Sequence, residues 1–559
     1  MNAESTQVME PDTAAGPAGD LIYDLVIVGY GPSGVTAANL AILKGMRIAV
    51  VEKDTEVFPR QRAISCDDEV MRVFQTIGLV APIRATMHEG VTSTFVTSKG
   101  KTLLSLASTI THNGYHQRNF FHQPYLESEL RKGVLRREDL ADLYFGAEVL
   151  SVEDGPDFAL VTSKDVATGE TQTLRGKYVL ACDGGSSSVR KSLGLAMEGK
   201  SLPDPWFDVQ GEALGKMPGS PHFKFVCDPK RAGVDCPCPA GMHRYEWRLN
   251  PDEDPTEITE NGKVWDTISR LAQKTTGNPS VSIDERDLEM KRTWRYVFQV
   301  RRAANWRSGR ILLVGDAAHL MPAFAGAGMA SAIRDTVNVV WKIHEVLAGR
   351  AADTLLDTYQ QERGPHVEAF TKYAEKLGRI VQVKSPVLAL LRNAYYRTLR
   401  HIPGLRAYTT TMKGKPVPGF SEGFVAASTN KKTPAGRTFP NVDVGTEHGR
   451  MLIDDYIGYN FAVFGLDEDP RTLLDAEEVR AWERLGARFI RIRTGTLLAG
   501  TDEVGDPVGR LWEWFQSHKN ARLAVVRPDH IVYGVDTDEV RLIPDHLKQT
   551  ARSSTGAHR

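Results

Sequence analysis

Two motifs that lie far apart in the sequence constrain the fold of this chain most strongly. The first is the turn Gly29-x-Gly31-x-x-Gly34, and the second is Gly315-Asp316 at the end of a distant apolar segment. A glycine-rich turn alone is compatible with either NAD or FAD. A second acid at the end of another strand is suitably placed to hold the ribityl and pyrophosphate part of FAD. Together the two motifs predict one bound FAD.

The N-terminal motif predicts a complete βαβ unit. Residues 21–28 are apolar and predict a buried strand, an alanine-rich helix follows the glycine turn, and residues 47–52 predict a second strand. The glycines allow the backbone to approach a pyrophosphate at the helix N-terminus, where free N–H groups favour negative charge. Glu52 ends the second strand and is placed to accept hydrogen bonds from the adenosine ribose. The alternative is a tight turn that binds no ligand.

The length of 559 residues predicts several folding units. Between the nucleotide-binding strands lies a region of proline, tryptophan and short alternating runs, which is typical of an antiparallel sheet. We therefore expect an α/β protein in which a Rossmann-like FAD-binding domain carries an inserted substrate-binding sheet, with a separate C-terminal domain. A later helical run should break or kink at Gly364-Pro365. The expected ranges are 1–20 (disordered tail), 21–200 and 290–395 (FAD-binding domain), 201–289 (substrate-binding β-sheet), 396–440 (linker), 441–545 (C-terminal domain) and 546–559 (tail).

The composition points to a small-molecule partner. The chain has 69 basic and 70 acidic residues and a formal net charge of −1, so no overall field attracts nucleic acid or anionic lipid. Its five cysteines are few and scattered, as expected for a reducing compartment. Cys236-Pro237-Cys238 is spaced too tightly for a usual zinc knuckle. We expect no metal site, no secretory signal, no transmembrane helix and a cytoplasmic location.

Three motifs resemble, in order and spacing, the signatures of the single-component FAD-dependent aromatic hydroxylases. They are the glycine turn Gly29-x-Gly31-x-x-Gly34, the segment from Asp183 to Arg190, and Gly315-Asp316-Ala317-Ala318-His319-x-x-Pro322. Residues 62–69 and 324–335 look most like those of 3-(3-hydroxyphenyl)propionate hydroxylases and their relatives. The resemblance implies a fold like that of p-hydroxybenzoate hydroxylase.

The C-terminal region resembles the thioredoxin-like tail of phenol hydroxylase-type enzymes. The similar residues are Gly465-Leu466-Asp467 and the segment 526–534. The last cysteine in the chain is Cys238, so thiol redox chemistry in this region is excluded. We expect a packing role or support of a homodimer.

The resemblance implies roles for the motif residues. Asp183 and Arg190 lie in a segment that serves both FAD and the nicotinamide, and Asp316 holds the ribityl chain. The carbonyl of Pro322 lies beside the substrate hydroxyl, where it favours the phenolate. His319 of the same motif is a further catalytic candidate.

The resemblance also places the isoalloxazine ring and its neighbours. The backbone of Gly326, Gly328 and Met329 would follow the pyrimidine edge of the flavin and begin a helix whose positive end stabilises reduced, anionic flavin. Arg62 is expected to contact FAD, and Gln123 to hold the flavin side of the site.

Four further residues are candidates for the substrate region. Asp67 is placed to face a phenol or the flavin, although acids that open a helix also have a purely structural explanation through the helix dipole. An acidic side chain on the substrate would need a cation or several donors. The candidates for this contact are Arg118, His122 and Arg244.

The activity that the resemblance implies is hydroxylation of a phenol ortho to its hydroxyl group. NADH or NADPH would reduce FAD, O2 would add to the flavin as a C4a-hydroperoxide, and one oxygen atom would enter the ring. A larger polycyclic phenol stays open as the substrate. Halogenation is disfavoured because Trp512-Glu513-Trp514 lies in the C-terminal domain and lacks a following Ile-Pro. A non-catalytic flavin-binding protein is the alternative of another class.

Overall fold

The computed structural model describes residues 21–59, 61–260, 262–428, 432–537 and 542. The tails expected at 1–20 and 546–559 lie outside the described residues. The described chain forms two eight-stranded sheets, one seven-stranded sheet and one three-stranded sheet. No helix in these ranges is both long and apolar enough to cross a membrane.

A largely parallel sheet forms the nucleotide-binding half. Its central strand Ile22–Val28 pairs in parallel with Thr171–Ala181 on one side and with Ile48–Glu52 on the other. Ile22–Val28 and Ile48–Glu52 are largely apolar and buried, and the carboxyl end of Thr171–Ala181 is buried as well, as is typical of parallel strands inside an α/β sheet. The predicted α/β fold, with a sheet assembled from separated segments, is confirmed. The remaining strands are Ala141–Phe145, Ala147–Glu153, Ala159–Asp165, Arg307–Ser308 and Ile311–Leu313.

Helices pack around this sheet and line its carboxyl edge. The helix Thr358–Val381 continues through Pro365, so the predicted break at Gly364-Pro365 does not occur. Proline costs one backbone hydrogen bond, but Tyr359, Val367 and Phe370 are buried on either side of it and their packing offsets this loss. The helices before the C-terminal domain are Pro32–Leu43, Asp68–Thr76, Val80–Arg84, Gln123–Leu135, Ser188–Ser192, Pro255–Glu260, Lys263–Thr276, Gly328–Leu347, Thr358–Val381, Pro386–Leu399 and Ala407–Thr410.

A second eight-stranded sheet is inserted into the nucleotide-binding half. It is antiparallel except where Ser93–Thr97 pairs in parallel with Lys224–Cys227. The sheet therefore extends beyond the expected range 201–289 in both directions, because strands from distant segments complete its edges. Its strands, in spatial order, are His319–Leu320, Leu288–Ala303, Met197–Ala213, Met242–Arg248, Gly233–Pro237, Lys224–Cys227, Ser93–Thr97 and Thr102–Leu106. A small separate sheet contains Ser65–Cys66, Asn119–Phe120 and His88–Glu89.

The C-terminal region forms a separate sheet with its own core. Three neighbouring strands are parallel to one another, and two further strands on each side join them through antiparallel pairs. The predicted separate domain is present, and its thioredoxin-like character stays a prediction. The strands, in spatial order, are Gly449–Leu452, Asp443–Thr446, Glu503–Asp506, Arg488–Thr494, Ala462–Leu466, Leu523–Val526 and Val532–Val535. The helices are Ile453–Ile457, Ala476–Arg484 and Arg510–Ser517.

The segment expected to be a linker, 396–440, packs into the molecule over much of its length. Phe424 and Phe439 are buried, and Phe424 contacts Trp341 of the FAD-binding domain with 5.4 Å between ring centroids. Lys415 is buried among carboxylates of the same domain. The proline, glycine and lysine residues of this segment predicted a linker. Its aromatic and lysine side chains are nevertheless buried, because they pack into spaces that form only when the neighbouring domains fold.

Candidate active site

A cavity of about 740 Å³ lies between the parallel sheet and the inserted sheet. Its volume falls within the range of about 300–1,000 Å³ that is typical of small-molecule and cofactor sites. The glycine turn and the ends of the parallel strands contribute part of the lining, and aromatic side chains of the inserted sheet contribute another part. Both halves of the molecule therefore face one shared cavity.

The three glycines of the N-terminal turn have different structural roles. Gly29 has φ +94°, and a Cβ atom there would lie 2.6 Å from the carbonyl oxygen of Cys182. A Cβ atom on Gly34 would overlap the carbonyl group of Gly29. Gly31 has open space where its Cβ would be, and it lines the cavity. Gly29 and Gly34 thus permit close packing of the turn, whereas Gly31 leaves room for a ligand.

Two helices begin at the cavity with free backbone donors. The helix Pro32–Leu43 starts after Gly31, and Gly328–Leu347 starts after Ala327, and neither start has a side-chain cap. Unpaired N–H groups and the helix dipole favour negative charge at such positions. Gly328 and Met329 line the cavity beside them.

Gly326 shapes the loop that leads into the second of these helices. It has φ +63°, and a Cβ atom would press against the Ser65 hydroxyl. The loop can therefore approach Ser65 closely only with glycine at this position. Gly326 also lines the cavity, so the segment predicted to follow the flavin edge faces the expected space.

Three predicted acids line the cavity. Glu52 Oε2 accepts a hydrogen bond of 2.6 Å from the Tyr30 N–H, and Asp183 Oδ2 accepts one of 3.1 Å from the Val189 N–H. Asp183 Oδ1 is buried and has no hydrogen-bond partner among the described residues. Asp316 is exposed to the cavity, whose enclosing walls remove water and raise the pKa of its carboxyl group. These acceptors fit the hydroxyl groups of a nucleotide ribose and of a ribityl chain.

Gln123 organises the backbone at the cavity edge. Its Oε1 accepts hydrogen bonds from the N–H groups of Arg62 at 2.9 Å and Ala63 at 2.8 Å, and its Nε2 donates to Glu127 at 2.7 Å. The Arg62 guanidinium lies 4.1 Å from the ring centroid of Phe58, and both side chains line the cavity. Gln123 also lines the cavity, but its amide is already engaged in holding residues 62 and 63.

Arg190 and Gly315 lie behind the cavity wall. Arg190 donates to the carbonyl oxygens of Ala317 at 3.0 Å and Gly185 at 3.1 Å, and so ties together the two loops that carry Asp183 and Asp316. Gly315 allows close approach of the Gly-Asp turn to the following helix, because a Cβ atom would lie 2.6 Å from that of Ala332. Neither residue belongs to the cavity lining.

His319 is not brought to the cavity. It is 1% exposed, and its Nε2 lies 2.7 Å from Asp335 Oδ2. The same Asp335 oxygen accepts a 3.1 Å hydrogen bond from the Gly315 N–H. The geometry therefore gives His319 a positioning role rather than the catalytic role expected from its motif. Pro322 is buried, while its neighbours Met321 and Ala323 line the cavity.

Asp67 belongs to a buried charge cluster outside the cavity lining. It forms ion pairs with Arg334 and, at 2.9 Å, with Lys415, while Asp68 pairs with Lys415 and Glu69 with Arg334. Burial alone would raise the pKa of Asp67, but the two cations outweigh it and hold that pKa well below its ordinary value. The structure therefore corrects the expectation that Asp67 faces the substrate. The cluster holds three carboxylates and two cations, so it carries one excess negative charge.

An aromatic wall faces the cavity from the inserted sheet and the adjacent loop. Phe223 and Phe225 lie 4.9 Å apart between ring centroids, and Phe298 and Phe324 lie 4.6 Å apart. All four side chains line the cavity, together with Ile64. Such a wall provides apolar contact for a planar ring.

Arg244 reaches the cavity, but its charge is already paired. Its Nε lies 2.9 Å from Asp208 Oδ1 and 2.5 Å from Glu246 Oε1. Burial opposes the charged form, but the two carboxylates outweigh it and raise the pKa of the Arg244 guanidinium. Glu246 also lines the cavity and accepts a 2.7 Å hydrogen bond from the Tyr296 hydroxyl.

Glu246 and the aromatic wall were not among the residues predicted from the sequence. The alternating run Arg244-Tyr245-Glu246-Trp247 carried a usable signal, because alternate residues of a strand share one face. The other two substrate candidates lie outside the cavity lining. Arg118 is buried and donates to the Ala325 carbonyl at 3.4 Å, and His122 precedes the helix Gln123–Leu135 and packs on Tyr125.

Comparison with known proteins defines the class. The FAD binding domain family matches residues 23–374, and the HcaD C-terminal domain family matches residues 436–550. Together with the cavity geometry, this match establishes FAD as the cofactor. The chain belongs to the flavin-dependent aromatic monooxygenases.

Its curated relatives include 3-(3-hydroxy-phenyl)propionate/3-hydroxycinnamic acid hydroxylases. That of Comamonas testosteroni is 33% identical, covering 91% of this chain and 93% of the relative, and that of Klebsiella pneumoniae is 32% identical, covering 92% of each.

Solved structures share the fold at lower identity. The flavin-dependent monooxygenase PieE, in complex with FAD and substrate, has a TM-score of 0.74 at 20% identity, covering 95% of this chain and 99% of its own. Aklavinone-11 hydroxylase, in a ternary complex with FAD and aklavinone, has a TM-score of 0.71 at 20% identity, covering 95% and 98%. These similarities support the arrangement of a FAD-binding domain, an inserted sheet and a C-terminal domain.

Proposed function

We propose that this protein uses NADH or NADPH and O2 to hydroxylate a phenolic ring ortho to an existing hydroxyl group. One observation carries the proposal: the nucleotide-binding turn and the aromatic wall of the inserted sheet line the same cavity. An aromatic ring on this wall and a flavin beside residues 326–329 would share one cavity. The names of the curated relatives support the same class of reaction.

The side chains and backbone of the protein supply binding, orientation and electrostatics. When bound, FAD supplies the two-electron and oxygen-activating chemistry. The uncapped helix starts after Gly31 and Ala327 would favour the negative charges of the pyrophosphate and of the reduced flavin. The aromatic wall would exclude water from the reacting ring. The Pro322 carbonyl would accept a hydrogen bond from the substrate hydroxyl and so orient the ring.

A larger polycyclic phenol is the second candidate substrate. The cavity of about 740 Å³ must hold both the flavin and the substrate, and the structurally similar aklavinone-11 hydroxylase is described with aklavinone. The C-terminal domain would contribute packing or support of a homodimer, and its lack of cysteine excludes thiol redox chemistry there.

The test is substrate-stimulated turnover of the purified protein with FAD. NADH and NADPH oxidation would be followed with a panel of phenols of increasing ring number, and the products would be identified by mass. We expect phenol-stimulated oxidation and a gain of one oxygen atom per product molecule. A flavin that no phenol makes reducible would reject the proposal in favour of a non-catalytic flavin-binding protein.

A further inference from the structure

The cavity distributes its cationic side chains unevenly. Among the described residues that line it, only one cation belongs to the inserted sheet, and this is Arg244. The other cations lie on the nucleotide-binding half, where they would meet the phosphates or the adenosine part. They are Lys53, Arg62, Arg131 and Lys191.

The one cation of the substrate region is outnumbered by its carboxylate partners. Arg244 Nε contacts both Asp208 and Glu246, and Arg244 Nη1 donates to the Arg62 carbonyl at 3.1 Å. With all three side chains ionised, the group carries one excess negative charge. Burial beside this excess charge raises the pKa of Asp208 to about 6. A substrate carboxylate would therefore meet Glu246 rather than a free guanidinium.

Among the described residues, Arg292 also acts electrostatically on Asp208 but lies outside the cavity lining, and two further arginines near this region are engaged elsewhere. Arg118 is 6% exposed, and its guanidinium is held behind the wall by the Ser93 hydroxyl and the Ala325 carbonyl. The Arg62 guanidinium interacts electrostatically with Asp316 and Glu127 of the nucleotide-binding half. The substrate region therefore consists of an aromatic wall and a carboxylate that can accept further hydrogen bonds.

We infer that the substrate is an electrically neutral phenol whose second polar substituent donates a hydrogen bond to Glu246. The substituent would be a hydroxyl group or an amide or amine N–H, and not the carboxylate of the acids named for the curated relatives. The inference rests on the proposed function, because it assigns the substrate class of the same cavity. Discrimination arises from repulsion of the wrong charge as well as from attraction of the right group.

The test compares two ligands of nearly the same shape, one of which is neutral with N–H donors and the other a carboxylate without donors. The FAD-loaded protein would be titrated with 3-(3-hydroxyphenyl)propanamide and with 3-(3-hydroxyphenyl)propionate, and the change in the flavin absorption spectrum would give both Kd values. We expect the amide to bind at least about tenfold more tightly, a difference of about 1.4 kcal/mol. The substitution Glu246→Gln should bring the two Kd values close together.

The control variant is Glu212→Gln. Glu212 lies on the strand Met197–Ala213 of the same sheet, is half exposed and pairs with Lys291 at 3.5 Å outside the cavity lining. It should leave the ratio of the Kd values unchanged. FAD content and thermal unfolding would verify that both variants fold.

Equal affinities, tighter binding of the carboxylate, or no binding of either compound would overturn the inference. If the carboxylate binds more tightly and Arg118→Gln removes this preference, Arg118 is the anion site instead. Tight binding of the amide without hydroxylation of any phenol would leave the charge preference standing and reject the proposed function.

Discussion

Arg527 and Glu362 form a fully buried ion pair that joins the C-terminal domain to the helix Thr358–Val381. Arg527 Nη2 lies 2.7 Å from Glu362 Oε2, and Lys342 Nζ lies 2.8 Å from the same oxygen. Asp529 forms a second pair with Arg527 at 2.6 Å. Each domain contributes one cation and one carboxylate to this buried network, and the contact between Arg527 and Glu362 crosses from one domain to the other, so it couples the stability of the two domains.

Replacing Arg527 with methionine should strongly destabilise the protein. Removing one partner leaves an uncompensated buried charge, which costs about 3–5 kcal/mol. Urea unfolding of wild type and variant would measure the loss. The control Glu368→Gln breaks an exposed pair with Lys372 and should cost about 0–1 kcal/mol. A loss in the Arg527 variant no larger than in this control would contradict the assigned role.

The same network predicts sensitivity to acid. Burial alone would raise the pKa of Glu362, but Arg527 and Lys342 outweigh it and lower that pKa to about 2. In the unfolded chain the same carboxyl has a pKa of ~4.3. Between the folded and the unfolded pKa, the unfolded chain therefore binds more protons at this group than the folded protein does. The stability supplied by Glu362 is therefore present above pH ~4.3 and is lost as the pH falls towards about 2. The difference in unfolding free energy between wild type and Glu362→Gln should shrink from about pH 5 to about pH 3, and a constant difference would refute this assignment.

Substitution of His319 by asparagine should separate a positioning role from a catalytic one. The variant loses the contact between His319 and the charged Asp335, worth about 1.5–3 kcal/mol. Because Asp335 also holds the Gly315 N–H, FAD affinity should fall as well. With FAD in excess, the pH profile of kcat should keep its wild-type shape. A lost limb of that profile would show that His319 exchanges protons during turnover.

Gly31→Ala and Gly34→Ala form a matched pair. The Gly31 position has open space and φ −69°, so alanine should change the unfolding free energy by less than about 1 kcal/mol. Its methyl group would occupy ligand space and should weaken FAD binding by at least about tenfold. In Gly34→Ala the methyl group meets the Gly29 carbonyl, so overpacking should cost about 1–3 kcal/mol or more. Fluorescence titration with FAD and urea unfolding would distinguish the two effects, and equal losses of stability would argue against these assignments.

Asp67→Asn should act on stability rather than on proton transfer. The Asp67 carboxylate pairs with Arg334 and Lys415, so an uncharged amide in its place weakens two buried ion pairs, although Asp68 and Glu69 still balance the two cations. We expect a loss of about 1.5–3 kcal/mol in the free energy of unfolding, the range for hydrogen bonds to charged groups. The pH dependence of kcat/KM should be unchanged at a temperature where the variant stays folded. A shift of its acidic limb would instead identify Asp67 as a proton acceptor.

Much of the nucleotide half could be predicted from the sequence because its signals are local. Gly29, Gly31 and Gly34 follow one strand and open one helix, and Glu52 ends the next strand. Asp316 follows its own apolar strand, and the cavity lining includes Gly31, Glu52 and Asp316. Short-range backbone geometry fixes these positions, so spacing along the chain is enough to find them.

The sequence motifs predicted the roles of individual side chains less well than they predicted the nucleotide-binding fold. His319 and Asp67 occur in characteristic segments, yet both are turned away from the cavity lining by ion pairs with Asp335 and Lys415. These partners lie on other elements, and Lys415 comes from the segment expected to be a linker. Pairing between distant charges depends on how the chain packs, and sequence spacing does not report it.

The sequence by itself determined that this chain has a βαβ nucleotide fold and a cavity with glycines and acids that suit FAD. Only the tertiary structure decided which residues form the aromatic wall of the cavity. Ser93–Thr97 joins the inserted sheet from far upstream, and Phe225, Phe298 and Glu246 meet at the cavity from different strands. Local conformation follows from neighbouring residues, whereas a substrate wall is built by long-range packing that buries apolar area from separate segments.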